Sequence, residues 1–202
     1  MKIKYLGHSS FYVEGKEFSV VTDPFDGIGY DIERVKANFC TISHEHFDHN
    51  FAFGIDADKI IRQSEGAFEK IDSFHDDKGG KLRGENFIFC FTIDGVRFCH
   101  MGDLGESFNR SLVEKIGKAD VLFIPIGGKY TITAKGAKRY IDAINPKTAI
   151  AMHFKTRLST IDIASADEFI SLTGARRYGE EIDFENVEEL ARTIVMASPD
   201  QR

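Results

Sequence analysis

Residues 39–49 read Phe39-Cys40-Thr41-Ile42-Ser43-His44-Glu45-His46-Phe47-Asp48-His49, an apolar run that ends in three histidines and two carboxylates within six residues. The run over 39–42 is β-branched and aromatic, as a buried strand requires, and the polar string begins where it stops. Side chains two apart on an extended segment share a side, so His44 and His46 face together, while Asp48 and His49 follow through a turn. Four such groups can converge on a space the size of a metal pair, and imidazole with carboxylate suits zinc and similar divalent ions. The string is not the helical His-Glu-x-x-His motif, which would need a histidine at 48, where Asp48 stands. A strand-end loop presents the groups, as open sites in α/β folds do. The bland alternative is a solvated histidine-rich turn.

Four donors from one loop cannot complete two sites of about four ligands each, so others must arrive from distant strand ends. His75 follows the strand-like run 68–74, Asp103 follows 96–100 through Met101-Gly102, and His153 ends the buried run 148–152. A lone His or Asp at a strand end is more often a turn or cap residue; together these three complete what residues 44–49 leave open. His100 lies near Asp103 and competes with His75, and is otherwise a packed core histidine. His8 either touches substrate or caps the first hairpin. Gly127-Gly128-Lys129-Tyr130-Thr131 lines a pocket with the Tyr130 phenol or is a plain surface turn. Asp23 before Pro24 reads locally as an Asx turn, and Lys155, two residues after His153, either meets an anionic group or, the more common case, is a surface lysine.

Around these ends the chain reads as one α/β domain over 1–202 with two sheets. Strand-like runs at 2–6, 11–13, 18–22, 39–42, 87–93 and 96–99 are bounded by Gly, Asp and Asn, and Asp94-Gly95 marks a hairpin over 87–100. Helical spacing over 107–116 and 133–144 is followed each time by a buried run, 121–126 and 148–152, with Asn145-Pro146 stopping the second helix. A helix at about 164–173 and a strand near 192–196 complete the chain, and the glutamate-rich stretch 180–189 reads as a solvated face. Eighteen Phe and six Tyr against no Trp point to a Phe-rich sheet core. Three cysteines without a CxxC pair read as small core residues rather than a disulfide framework.

Lys plus Arg number 26 and Asp plus Glu 32, a net charge of −6, which argues against long nucleic acid as a partner and leaves a small-molecule substrate. No window approaches the roughly 18 apolar residues of a membrane helix, and the opening residues lack a signal-peptide run, so a cytoplasmic protein without a membrane partner is expected. A dinucleotide fingerprint, a phosphate loop and a GxSxG nucleophile elbow are all missing.

Gly7-His8-Ser9-Ser10-Phe11, Thr22-Asp23-Pro24, the string 43–49, His100-Met101-Gly102-Asp103 and Met152-His153-Phe154 together resemble the metallo-β-lactamase superfamily. Within it the chain is similar to the small metal-dependent hydrolases that include the ascorbate-phosphate lactonases. The resemblance implies a four-layer αββα sandwich, two packed sheets with outer helices. It further implies that His44, His46 and His75 hold one metal, that Asp48, His49 and His153 hold the other, and that Asp103 bridges them. Asp23 would support the ligand loop from behind by accepting ligand or backbone hydrogens.

Two divalent ions, zinc first and manganese or iron as alternatives, can bring a shared water to hydroxide near neutral pH, with Asp48 orienting the water or accepting its proton. The expected reaction is hydrolysis of an ester, lactone or phosphoester bond in a small, anionic substrate. The competing readings are a metallo-phosphodiesterase or nuclease, and a metal-binding scaffold without turnover.

Overall fold

In chain order the strands are β1 (Lys2–Gly7), β2 (Ser10–Glu14), β3 (Ser19–Thr22), β4 (Lys36–Thr41), β5 (Asp56–Ile61), β6 (Phe68–Phe74), β7 (Glu85–Ile93), β8 (Val96–His100), β9 (Val121–Pro125), β10 (Thr148–Met152), β11 (Arg176–Tyr178), β12 (Glu181–Asp183) and β13 (Thr193–Met196). The helices are α1 (Arg110–Ile116), α2 (Ala134–Ile144) and α3 (Asp167–Thr173). They belong to a computed structural model that describes residues 1–201. One sheet has the order β12-β1-β2-β3-β4-β5 and the other β11-β13-β10-β9-β8-β7-β6. This is the α/β sandwich of the metallo-β-lactamase type that the motifs led us to expect.

Strand direction is what positions the site. β1, β2 and β3 alternate antiparallel, and β4 joins β3 in parallel, so β1, β3 and β4 point the same way. β6, β7 and β8 alternate likewise, and β9 and β10 continue in parallel, so β6, β8 and β10 also share a direction. The residues that follow these six strands meet at one edge.

Between the sheets lies a ladder of rings. Tyr5 stacks on Phe11 at 4.9 Å, Phe11 on Phe123 at 4.2 Å, and Phe98 joins Phe123 at 6.2 Å and Phe91 at 5.4 Å. Each fully buried Phe contributes roughly 1.5–3 kcal/mol of burial, so the ladder binds the two sheets. α1 and α2 pack on strands of the seven-stranded sheet, and α3 on α2. Over the six-stranded sheet, Leu6, Val21, Ala37 and Ile55 are covered by Ile32 and Val35, so loop and one 3-10 turn (Ala52–Gly54) form that outer layer.

Several local expectations need correction. β5, β11 and β12 lay outside the strands read from sequence, because they are short or charged edge strands defined by their neighbours rather than by an apolar pattern. Within 180–189, Glu181, Glu185, Glu188 and Glu189 are exposed, yet Ile182 and Phe184 are buried and β12 pairs with β1. α1 starts at Arg110 and not at 107, since the Asn109 side chain caps it by accepting from Leu112 N at 3.4 Å. The cysteines are not all free: Cys90 and Cys99 are joined, and Cys40 alone is a buried thiol. The hairpin turns at Asp94 (φ 50°) and Gly95 (φ 78°), which places Cys90 opposite Cys99 in register. Their equal spacing from Asp94-Gly95 was the available signal.

Candidate metal centre

After β4 the backbone is held by Asp23, whose Oδ1 accepts from Ser43 N at 2.8 Å. The chain then turns tightly, His49 N and Asn50 N both donating to His46 O at 2.9 and 3.1 Å, and this turn delivers His44, His46, Asp48 and His49 to one place. Asp103 is fixed by its own amide, which donates to Asn86 Oδ1 at 2.8 Å, while Asn86 Nδ2 donates to Ser73 Oγ and Met101 O. His153 N donates to His8 O at 2.8 Å and so ties the end of β10 to the end of β1. Three residues at this edge, His8, Asp23 and His153, have positive φ (52°, 39° and 52°), a conformation that costs about 1–3 kcal/mol where a Cβ is present.

The donors fall into two groups. Ring nitrogens of His44, His46 and His75 lie within 4.8 Å of one another, and so do donor atoms of His8, Asp48, His49 and His153. Asp103 stands between them: its Oδ2 is 3.1 Å from His75 Nε2 and 3.2 Å from His153 Nε2, and its Oδ1 is 3.1 Å from His49 Nε2. The far nitrogens set the tautomers. His49 Nδ1 donates to Asp23 Oδ2 at 2.9 Å, His75 Nδ1 donates to Tyr130 O at 3.0 Å, and His44 Nδ1 donates to Ser43 Oγ at 2.9 Å, which itself donates to Asp23 Oδ2. All three rings therefore turn Nε2 inward, and two of the three Nδ1 protons lead to Asp23.

His100 stands apart, with Nε2 donating to Ser9 O at 2.8 Å and Nδ1 accepting from Gly102 N at 3.2 Å. Both of its nitrogens are engaged by backbone.

The inward atoms suit a cation. Among the described residues, His44 Nε2 is buried without a hydrogen-bond partner, and His49 Nε2 and Asp103 Oδ1 approach each other without hydrogen-bond geometry. Buried polar atoms are seldom left this way. Two ligands about 2.1 Å from one tetrahedral ion lie about 3.4 Å apart, close to the nitrogen–oxygen separations around Asp103.

Charge follows the same geometry. Burial and neighbouring His49 hold His44 down to about 3, and burial and His153 hold His8 down to about 4. His46 is lowered by burial and by His75. Burial opposes the proton on His49 and His75, but Asp103 outweighs it at both and raises them, with Asp23 adding to the effect at His49. Burial also opposes ionisation of Asp48 and Asp103; His8 and His49 hold Asp48 low, and His153 and His49 hold Asp103 well below the carboxylate range.

A cavity of about 780 Å³ opens over these groups, lined among others by His46, Asp48, Asp103, Arg83 and Tyr130. Tyr130 thus lines the pocket and also orients His75. Lys155 is not a surface lysine: its Nζ donates to Ser159 O and Ile161 O, bracing the segment that forms one wall. Sequence reasoning missed Ser43, Asn86 and Arg83. The Arg83 amide and three others donate to the Asp76 carboxylate at 2.8–3.0 Å, which shapes the loop, and its guanidinium lies 5.4 Å from the Tyr130 ring centroid. The adjacent Asp76-Asp77 pair was its one available sequence signal.

Residues 2–153 match the family model described as the β-lactamase superfamily domain. A UPF0173 metal-dependent hydrolase of Archaeoglobus fulgidus is 28% identical over 195 residues, covering 77% of this chain and 84% of the relative. Another, from Pyrococcus abyssi, is 25% identical over 226 residues and covers 91% and 99%. A crystal structure of a candidate Zn-dependent hydrolase of the metallo-β-lactamase superfamily from Thermotoga maritima superimposes with a TM-score of 0.80 at 32% identity, covering 96% of this chain and 97% of that one. Among the described residues, no helix is long and apolar enough to cross a membrane.

Proposed function

Since the chain belongs to the metallo-β-lactamase superfamily and is a metal-dependent hydrolase, we propose that it works with two divalent ions, zinc first among them, on an ester, lactone or phosphoester bond of a small anionic substrate. The observation that carries this reading is the Asp103 carboxylate, which reaches His75 on one side and His49 and His153 on the other. His44, His46, His75 and Asp103 would hold one ion, and Asp48, His49, His153 and Asp103 the other. When bound, such ions polarise a carbonyl or phosphoryl oxygen and make water a competent nucleophile near neutral pH.

The remaining work falls to the chain. Asp48, kept ionised by His8 and His49, orients the attacking water and takes its proton on a carboxylate oxygen. Asp23 fixes the rings of His44 and His49 through their Nδ1 protons. Arg83 lines the cavity, and among the described residues its guanidinium has no carboxylate partner, which supports an acidic group on the substrate. A cavity of about 780 Å³ matches small-molecule sites, about 300–1,000 Å³, and favours such a substrate over a nucleic acid strand.

Metal content of untagged protein tests the reading. About two equivalents are expected in the wild type and fewer in Asp48→Ala and Asp103→Ala, with hydrolysis of a phosphorylated lactone, ester or phosphodiester panel falling in step. A wild type that holds no metal after incubation with zinc, manganese or iron would refute it.

A further inference from the structure

His8 follows β1 and is 2% exposed. Its carbonyl accepts from Tyr5 Oη at 2.6 Å and from His153 N at 2.8 Å, and its left-handed backbone turns the imidazole toward the second donor group. There its ring centroid is 4.4 Å from that of His153 and 5.1 Å from that of His49. Nε2 lies 3.2 Å from Asp48 Oδ2, yet it has no hydrogen-bond partner among the described residues. The same oxygen, Asp48 Oδ2, is the one that His49 Nε2 approaches, at 3.9 Å. A residue that merely braced the carboxylate from behind would hydrogen-bond the opposite oxygen. His8 instead points its free nitrogen into the space that Asp48, His49 and His153 enclose.

We propose that His8 is itself a metal ligand of the second group, a role that rests on the two-ion reading. With it, the second group offers His8, Asp48, His49, His153 and the shared Asp103, five donors, while the first offers His44, His46, His75 and Asp103. The second group also carries one more carboxylate. Affinity for a divalent cation rises with donor number and ligand charge, so the second position is the tighter one and fills first.

The test is a zinc titration of metal-free protein against a chromophoric chelator, comparing wild type with His8→Asn. Asn accepts a left-handed backbone and is too short to reach the enclosed space. The wild type is expected to take two equivalents in two steps, and the variant to bind the first-filled equivalent at least about tenfold more weakly with the other little changed. Equal affinities in the two proteins would overturn the assignment. A crystal structure of the zinc-loaded wild type decides it without any variant: Nε2 about 2.0–2.1 Å from the ion is expected, and a nitrogen well outside bonding distance overturns it. A wild type with fewer than two equivalents counts against the two-ion reading instead, and the His8 distance then still decides this ligand.

Discussion

Asp103 and Asp23 divide the labour at the scale of single residues. Asp103 meets three imidazole Nε2 atoms within 3.2 Å, and Asp23 receives the Nδ1 proton of His49 directly and that of His44 through Ser43. The two carboxylates thereby fix which nitrogen of each ring carries a proton and which is free to ligate. In the metal-free protein, however, Asp103 outweighs burial and raises both His49 and His75, so it favours on each ring a proton that an incoming cation must displace. Metal affinity therefore grows as pH rises through the raised range of these histidines and weakens as pH falls. Calorimetric titrations at pH 7 in buffers of different ionisation enthalpy should report about one or more protons released as zinc binds. No release would show that neither ring is protonated beforehand.

At the scale of the element, the loop between β8 and Asp103 is two residues long and leaves no room for a side chain at its second residue, Gly102. Gly102 has φ 53°, and a Cβ there would lie 2.3 Å from Asn86 Oδ1 and 2.7 Å from Ser43 Cβ. Asn86 Oδ1 holds the Asp103 amide, and Ser43 stands between His44 and Asp23, so this one position touches the supports of both carboxylates. Gly102→Ala should cost more than about 1 kcal/mol of stability, through strain at positive φ, and should lower metal content as well. Urea midpoints with metal analysis check both effects. A variant with unchanged stability would show that Asn86 and Ser43 can give way freely.

Over the whole molecule, the site joins the two sheets. Residues after β1, β3 and β4 come from one sheet and those after β6, β8 and β10 from the other, so an ion held among them ties the two sheets at this edge in addition to the apolar core they share. Ligand that binds only the folded state at a free concentration of 100 times Kd adds about 2.7 kcal/mol. For a chain of this size that is a rise of about 5–10 °C in Tm. Differential scanning calorimetry with and without chelator should show it, and an unchanged Tm would mean that the sandwich holds its edge together unaided.

The string 43–49, the strand-end positions of His75, Asp103 and His153, and the turn at Asp94-Gly95 were determined by the sequence, because each is a local pattern whose spacing fixes which way side chains point. Those patterns also sufficed for the superfamily and the class of chemistry. Only the tertiary structure decided that Asp103 faces both donor groups, that His100 is occupied by backbone while His75 is turned inward, that Asn86 and Ser43 are the supports, and that Arg83 stands over the cavity. It likewise decided β5, β11 and β12, whose charged residues become strand only beside a partner. The physical reason is common to all of these: a hydrogen bond, a shared ligand or an edge pairing depends on the distance to atoms remote in the chain, and that distance is set when the two sheets pack face to face.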